Sequence, residues 1–258
     1  MAKLKERSTR NRKIIILGAI IIIAMIFLTQ YYFKFLEKVS TNHLSNLPKK
    51  ELNYTSMVSL HIPAVDSYGN GVSTLLKVYM LPGEGKTLVD INQLLFWIDT
   101  QQSIQTAKKV AQEVTGVDLS KFDLVYSIEE INASIIEGPS AGAAITIATI
   151  AAIKGKDLRN DVMITGTINP DGSIGQVGGI LAKAQAAKES GASILLVPKG
   201  QGTQVTYIPK EVCEKIGQFT FCKITYHKEI VNVGRSVGIN LIEVSHIKEA
   251  MEYFGLKD

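Results

Sequence analysis

Two residues in this chain have the types and settings that nucleophilic catalysis needs. Glu137-Gly138-Pro139-Ser140-Ala141-Gly142 places a serine at the start of an Ala- and Ile-rich run over 140–153, which reads as a buried helix. A helix N-terminus carries unpaired N–H groups and the positive end of the dipole, so an oxyanion formed beside Ser140 would find donors already oriented. Taken alone, Ser140 reads as a helix N-cap, a position that serine favours. Further on, Gly178-Gly179-Ile180-Leu181-Ala182-Lys183-Ala184 sets a lysine among Ala and Leu on a second helix, whose other lysine, Lys188, falls on another side. A lysine can take a serine's proton only if burial lowers its pKa toward neutrality; a solvated one stays charged. Taken alone, Lys183 reads as a solvated helix charge, so the constellation has to carry the chemistry.

Other chemistries find less support. The histidines, His43, His61, His227 and His246, are scattered, form no metal-binding pair and adjoin no nucleophile motif, so neither zinc nor a Ser-His-Asp triad is indicated and no cofactor is expected. Gly85-Lys86-Thr87 looks like the end of a phosphate-binding loop, but that spacing demands glycine at position 80, where Met80 stands, so the segment reads as a turn between strands. Cys213 and Cys222 fit either a local disulfide or two buried thiols.

The elements that must hold these residues alternate along the chain. Period-two apolar positions (Val58, Leu60, Ile62, then Val72, Leu75, Val78, Met80) predict early strands and hairpins. Helical periodicity is expected over 103–114 and 179–190, with strands over 124–127, 162–164, 174–177, 193–197 and 241–244. A polar loop should begin at Gln201, followed by a cysteine-bearing hairpin, with a closing helix over 246–254. The fold class is therefore α/β (α+β), with mixed sheets and helices.

The net charge of +4 is concentrated in the first thirteen residues, where six Lys and Arg oppose only Glu6, so nucleic acid is not the implied partner. Residues 14–33 follow as an uncharged apolar run of about twenty residues, the length that spans a bilayer. The expected organisation is a basic cytoplasmic tail (1–13), one transmembrane helix (14–33), a linker (34–55) and a folded domain (56–258) outside the cytoplasm. A cleaved signal peptide lacks its small-residue site here, and a buried core helix sits badly beside so basic a cluster.

From about Gly71 to Phe254 the sequence resembles the proteolytic domain of the Lon proteases, with 200–235 as an apparent extension. The resemblance lies in Pro82-Gly83-Glu84-Gly85-Lys86, Ser103-Ile104-Gln105, the Gly-Pro-Ser-Ala-Gly motif, Asn160-Asp161-Val162-Met163-Ile164-Thr165-Gly166, and Gly178-Gly179 through Lys183. It implies a serine-type endopeptidase with a Ser-Lys dyad: Ser140 the nucleophile, Lys183 the base 43 residues later, Thr165 orienting the lysine, and Glu137 a supporting carboxylate where bacterial members often have Asp. It also implies polypeptide substrates and assembly as a hexameric ring. Full-length members carry an ATPase module; this chain shows no phosphate-binding loop, so the expected enzyme is ATP-independent and acts on unfolded or short polypeptides. A catalytically inactive, tethered binding domain is the alternative, and self-cleavage of the tether a third reading.

Overall fold

The computed structural model describes residues 25, 27–31, 34, 54–90, 98–129 and 138–257. Contacts divide the chain into Met1–Leu52 and Asn53–Asp258. In the first unit the described residues are helical and exposed. The tail at 1–13, most of the expected span at 14–33, most of the linker, His43 and Glu137 lie outside the described residues. Among the described residues no helix is long and apolar enough to cross a membrane.

The second unit opens with a four-stranded sheet of order β1-β2-β4-β3. Its strands are β1 (Ser56–Val65), β2 (Gly71–Pro82), β3 (Thr87–Val89) and β4 (Phe122–Glu129), with α1 (Ile98–Thr115) between the last two. The alternation in β1 and β2 buries Val58, Leu60, Ile62, Leu76, Val78 and Met80 on one face. Pro63 interrupts no internal ladder because β1 is an edge strand. The Gly-Lys-Thr turn between β2 and β3 is tied down by Asp123, whose carboxylate accepts the backbone N–H groups of Glu84 (2.9 Å) and Lys86 (2.7 Å). It is the turn that its spacing predicts.

Against this sheet lies α2 (Gly142–Lys154), apolar all round and buried from Gly142 to Ala152. Its Thr149 meets the buried Tyr126 hydroxyl of β4 at 3.0 Å, satisfying both polar atoms inside the core. A parallel three-stranded sheet follows, of order β11-β8-β5. It comprises β5 (Val162–Ile164), β8 (Ile194–Pro198) and β11 (Asn240–Val244), with α3 (Ile180–Glu189) in the connection from β5 to β8. The small hairpin of β6 (Thr167–Ile168) and β7 (Ile174–Gly175) precedes α3, and α4 (Val233–Val237) and α5 (Ile247–Tyr253) flank β11.

After Gln201 the expected polar loop gives way to a longer form of the expected cysteine-bearing hairpin. It is a long two-stranded ribbon, β9 (Thr203–Ile216) and β10 (Phe219–Asn232), paired antiparallel along its whole length. Cys213 and Cys222 stand opposite each other in that register and form a disulfide. Almost every ribbon residue is exposed, so neither face packs on the core.

Candidate active site

Ser140 occupies a 3-10 turn (Pro139–Ala141) that feeds directly into α2. Gly138 enters this turn at φ +96°, a left-handed backbone that favours glycine. Gly142 is equally constrained, because a Cβ there would stand 2.8 Å from the Ile168 backbone nitrogen. The Gly-Pro-Ser-Ala-Gly spacing therefore reflects the sharp entry into α2 and its close approach to β6. Ala141, not Ser140, is the N-cap of α2, and no side chain caps it. The Ser140 hydroxyl is thus not spent as a helix cap.

The carbonyl of Ser140 is clamped from the short connection between β5 and β6. It accepts the Gly166 N–H at 2.9 Å and the Thr165 hydroxyl at 3.3 Å, while the Ala143 N–H donates back to the Gly166 carbonyl at 2.9 Å. Thr165 is itself 1% exposed. Sequence reading assigns Thr165 to Lys183; the bond found in the structure fixes the backbone of the serine.

Lys183 lies on α3, and it is the one charged side chain among the buried residues described, at 4% exposure. Desolvation alone draws its ammonium down from 10.5 to about 8. Lys188, one turn and a half further along, is exposed and donates to the Gly238 carbonyl at 2.7 Å. The two lysines of this helix thus differ in environment as the pattern predicts.

Ser140 and Lys183 line one open cavity of about 480 Å³. The end of β1 (Ala64, Val65), Thr167 of β6 and Val177 are part of its mostly apolar wall. None of the described histidines lines it. His246 instead caps α5, its Nδ1 accepting the Lys248 N–H, and so does structural duty. Sequence reasoning missed Gln201, whose side-chain amide makes two bonds to the backbone of Val177: Nε2 donates to the carbonyl (2.7 Å) and Oε1 accepts the N–H (3.0 Å). Such a contact across 24 residues leaves no local signal.

A serine before a helix N-terminus and a desolvated lysine sharing one cavity suit acyl transfer to water. The profile of the Lon protease (S16) C-terminal proteolytic domain matches residues 104–233, which include Ser140, Thr165 and Lys183. The chain belongs to this family. Lon proteolytic domains are serine peptidases with a Ser-Lys dyad. The Lon protease of Fervidobacterium nodosum is 30% identical over 159 residues, covering 59% of this chain and 19% of the relative. That of Methylocella silvestris is 33% identical over 138 residues, covering 52% and 17%. The archaeal Lon protease of Thermococcus kodakarensis is 27% identical over 116 residues, covering 45% and 18%. The match thus spans about a fifth of the length of each relative.

Proposed function

We propose that this Lon-type domain is a membrane-anchored serine endopeptidase that hydrolyses unfolded or short polypeptides without ATP, using Ser140 as nucleophile and Lys183 as base. The observation that carries the reading is the buried Lys183 in the same cavity as Ser140. With a pKa near 8, a useful fraction of this lysine is neutral at physiological pH.

Neutral Lys183 Nζ accepts the Ser140 proton as Oγ attacks the peptide carbonyl carbon. Backbone N–H groups of the turn entering α2 receive the oxyanion. Collapse breaks the C–N bond, the leaving amine takes the proton from the Lys183 ammonium, and an acyl ester remains on Ser140. Water then gives a proton to Lys183 and attacks the ester carbon; collapse breaks the bond to Ser140 Oγ, which takes that proton from the Lys183 ammonium, freeing the carboxyl product and restoring both the serine and the neutral lysine. Thr165 holds the Ser140 backbone during these steps, and Glu137 is the supporting carboxylate that the family resemblance implies. ATP independence rests on the want of a phosphate-binding loop in these 258 residues, and anchoring on the uncharged run at 14–33 behind a basic cluster. The family resemblance supports self-assembly into a ring.

The test is hydrolysis of fluorescence-quenched casein by the 258-residue chain without nucleotide, beside Ser140→Ala and Lys183→Ala. Turnover lost in both variants supports the reading. A folded wild-type chain that turns over nothing would favour a tethered binding domain.

A further inference from the structure

We propose that the β9–β10 ribbon is a docking strip for extended polypeptide, which adds along the free edge of β10 on its way to the Ser140 cavity. This inference rests on the peptidase reading above and names where its long substrates are held.

The ribbon has no structural task that explains its composition. Among the described residues, β9 and β10 pair only with each other, so each 14-residue strand has one edge of unpaired N–H and C=O groups. β9 carries Pro209, which removes a donor, whereas β10 contains no proline along its length. The register puts Val205 opposite Ile230, Tyr207 opposite Lys228, Pro209 opposite Tyr226 and Glu211 opposite Ile224 on one face. There Tyr207, Ile224, Tyr226 and Ile230 are each more than 60% exposed. An added strand would use the backbone edge for affinity and this apolar face for alternate side chains.

Position and charge decide the occupant. The ribbon's root is fixed to the cavity wall: Gln201, two residues before β9, holds the Val177 backbone through both of its amide groups. Glu243 of β11 accepts the flanking Gly200 (2.9 Å) and Gly202 (2.7 Å) N–H groups, so the root is anchored on both sides. Over 203–232 four lysines face three glutamates. That near-balance lacks the basic excess by which anionic lipid or nucleic acid is held, and it suits polypeptides of mixed charge.

The test uses two variants of the full chain. In one, 204–231 is replaced by Asn-Gly, a turn suited to closing the directly paired Thr203 and Asn232. In the other, Tyr207→Ser, Ile224→Ser and Tyr226→Ser leave the ribbon in place. Binding of fluorescein-labelled, unfolded casein is measured by anisotropy in a Ser140→Ala background, and hydrolysis of casein and of a short quenched peptide in the active chain. Both variants should weaken casein binding and raise its KM about tenfold, the effect of removing aromatic anchors, with short-peptide kcat/KM unchanged. Casein binding kept within about twofold in both overturns the proposal. So does equal loss on casein and short peptide, or casein binding kept while binding to phosphatidylserine vesicles is lost. If the wild type cleaves neither substrate, the peptidase reading fails, yet the binding arm still decides the ribbon.

Discussion

Replacing Lys183 by methionine should abolish hydrolysis and make the protein more stable. Methionine fills a similar volume, so the main change is removal of a charge held at 4% exposure. Burial draws the ammonium from 10.5 to about 8, and at 1.36 kcal/mol per pH unit that difference is worth about 3 kcal/mol. The sign follows from proton counting. Below pH 8 the lysine is protonated in both folded and unfolded chains, and the fold bears the whole penalty. Between about 8 and 10.5 the unfolded chain keeps a proton that the folded chain has released, so wild-type stability rises with pH. Above 10.5 both are neutral and the penalty is gone. Lys183→Met should therefore gain up to about 3 kcal/mol at pH 7, roughly 6–12 °C in Tm for a domain of this size, with the gain vanishing near pH 10.5. Urea unfolding followed by circular dichroism at the two pH values reads it directly, and Lys183→Arg, which stays charged, should show no such gain. A methionine variant less stable than wild type at pH 7, or equally stabilised at both pH values, would refute the argument that Lys183 is desolvated.

Three further outcomes follow from the same geometry. Since only neutral Lys183 can act as base, kcat/KM on casein should rise about tenfold from pH 7 to pH 9, with an apparent pKa near 8; a flat profile would exclude this lysine. Thr165→Val removes the hydroxyl bond to the Ser140 carbonyl but leaves the Gly166 bond, so stability should fall by only about 1 kcal/mol while kcat falls at least tenfold, and Thr165→Ser should restore it. Gln201→Ala strips both bonds from Val177 in the cavity wall and should lower kcat/KM on a short peptide several-fold without shifting the pH profile.

How much of this is visible in the amino-acid order depends on whether a residue's role is local. The helix over 142–154 is legible because an unbroken apolar run has nowhere to go but the core, and β1 and β2 because one face is buried and the other wet. The Ser140 turn is legible because glycine at 138 answers a local backbone demand, whereas the reason for glycine at 142, the approach of Ile168, comes only with folding. Lys183 is only half legible: its Ala and Leu neighbours permit burial, but the β1 end and Thr167 that enclose its cavity come from distant segments. Gln201 and the Thr165 bond to Ser140 are not legible, because each is a contact made only by folding. The cysteine-bearing hairpin is legible in outline, but the 14-residue length of its strands is not, because a ribbon wet on both faces has no core side to mark where it starts and stops.

The central claim is that Ser140 is the nucleophile and Lys183 activates it. A fluorophosphonate, which reacts with activated serine hydroxyls, should add its mass to the peptide containing Ser140, and the rate of labelling should collapse in Lys183→Met although that variant is folded and more stable. Label on another residue, or Ser140 labelled equally fast without Lys183, would contradict the account.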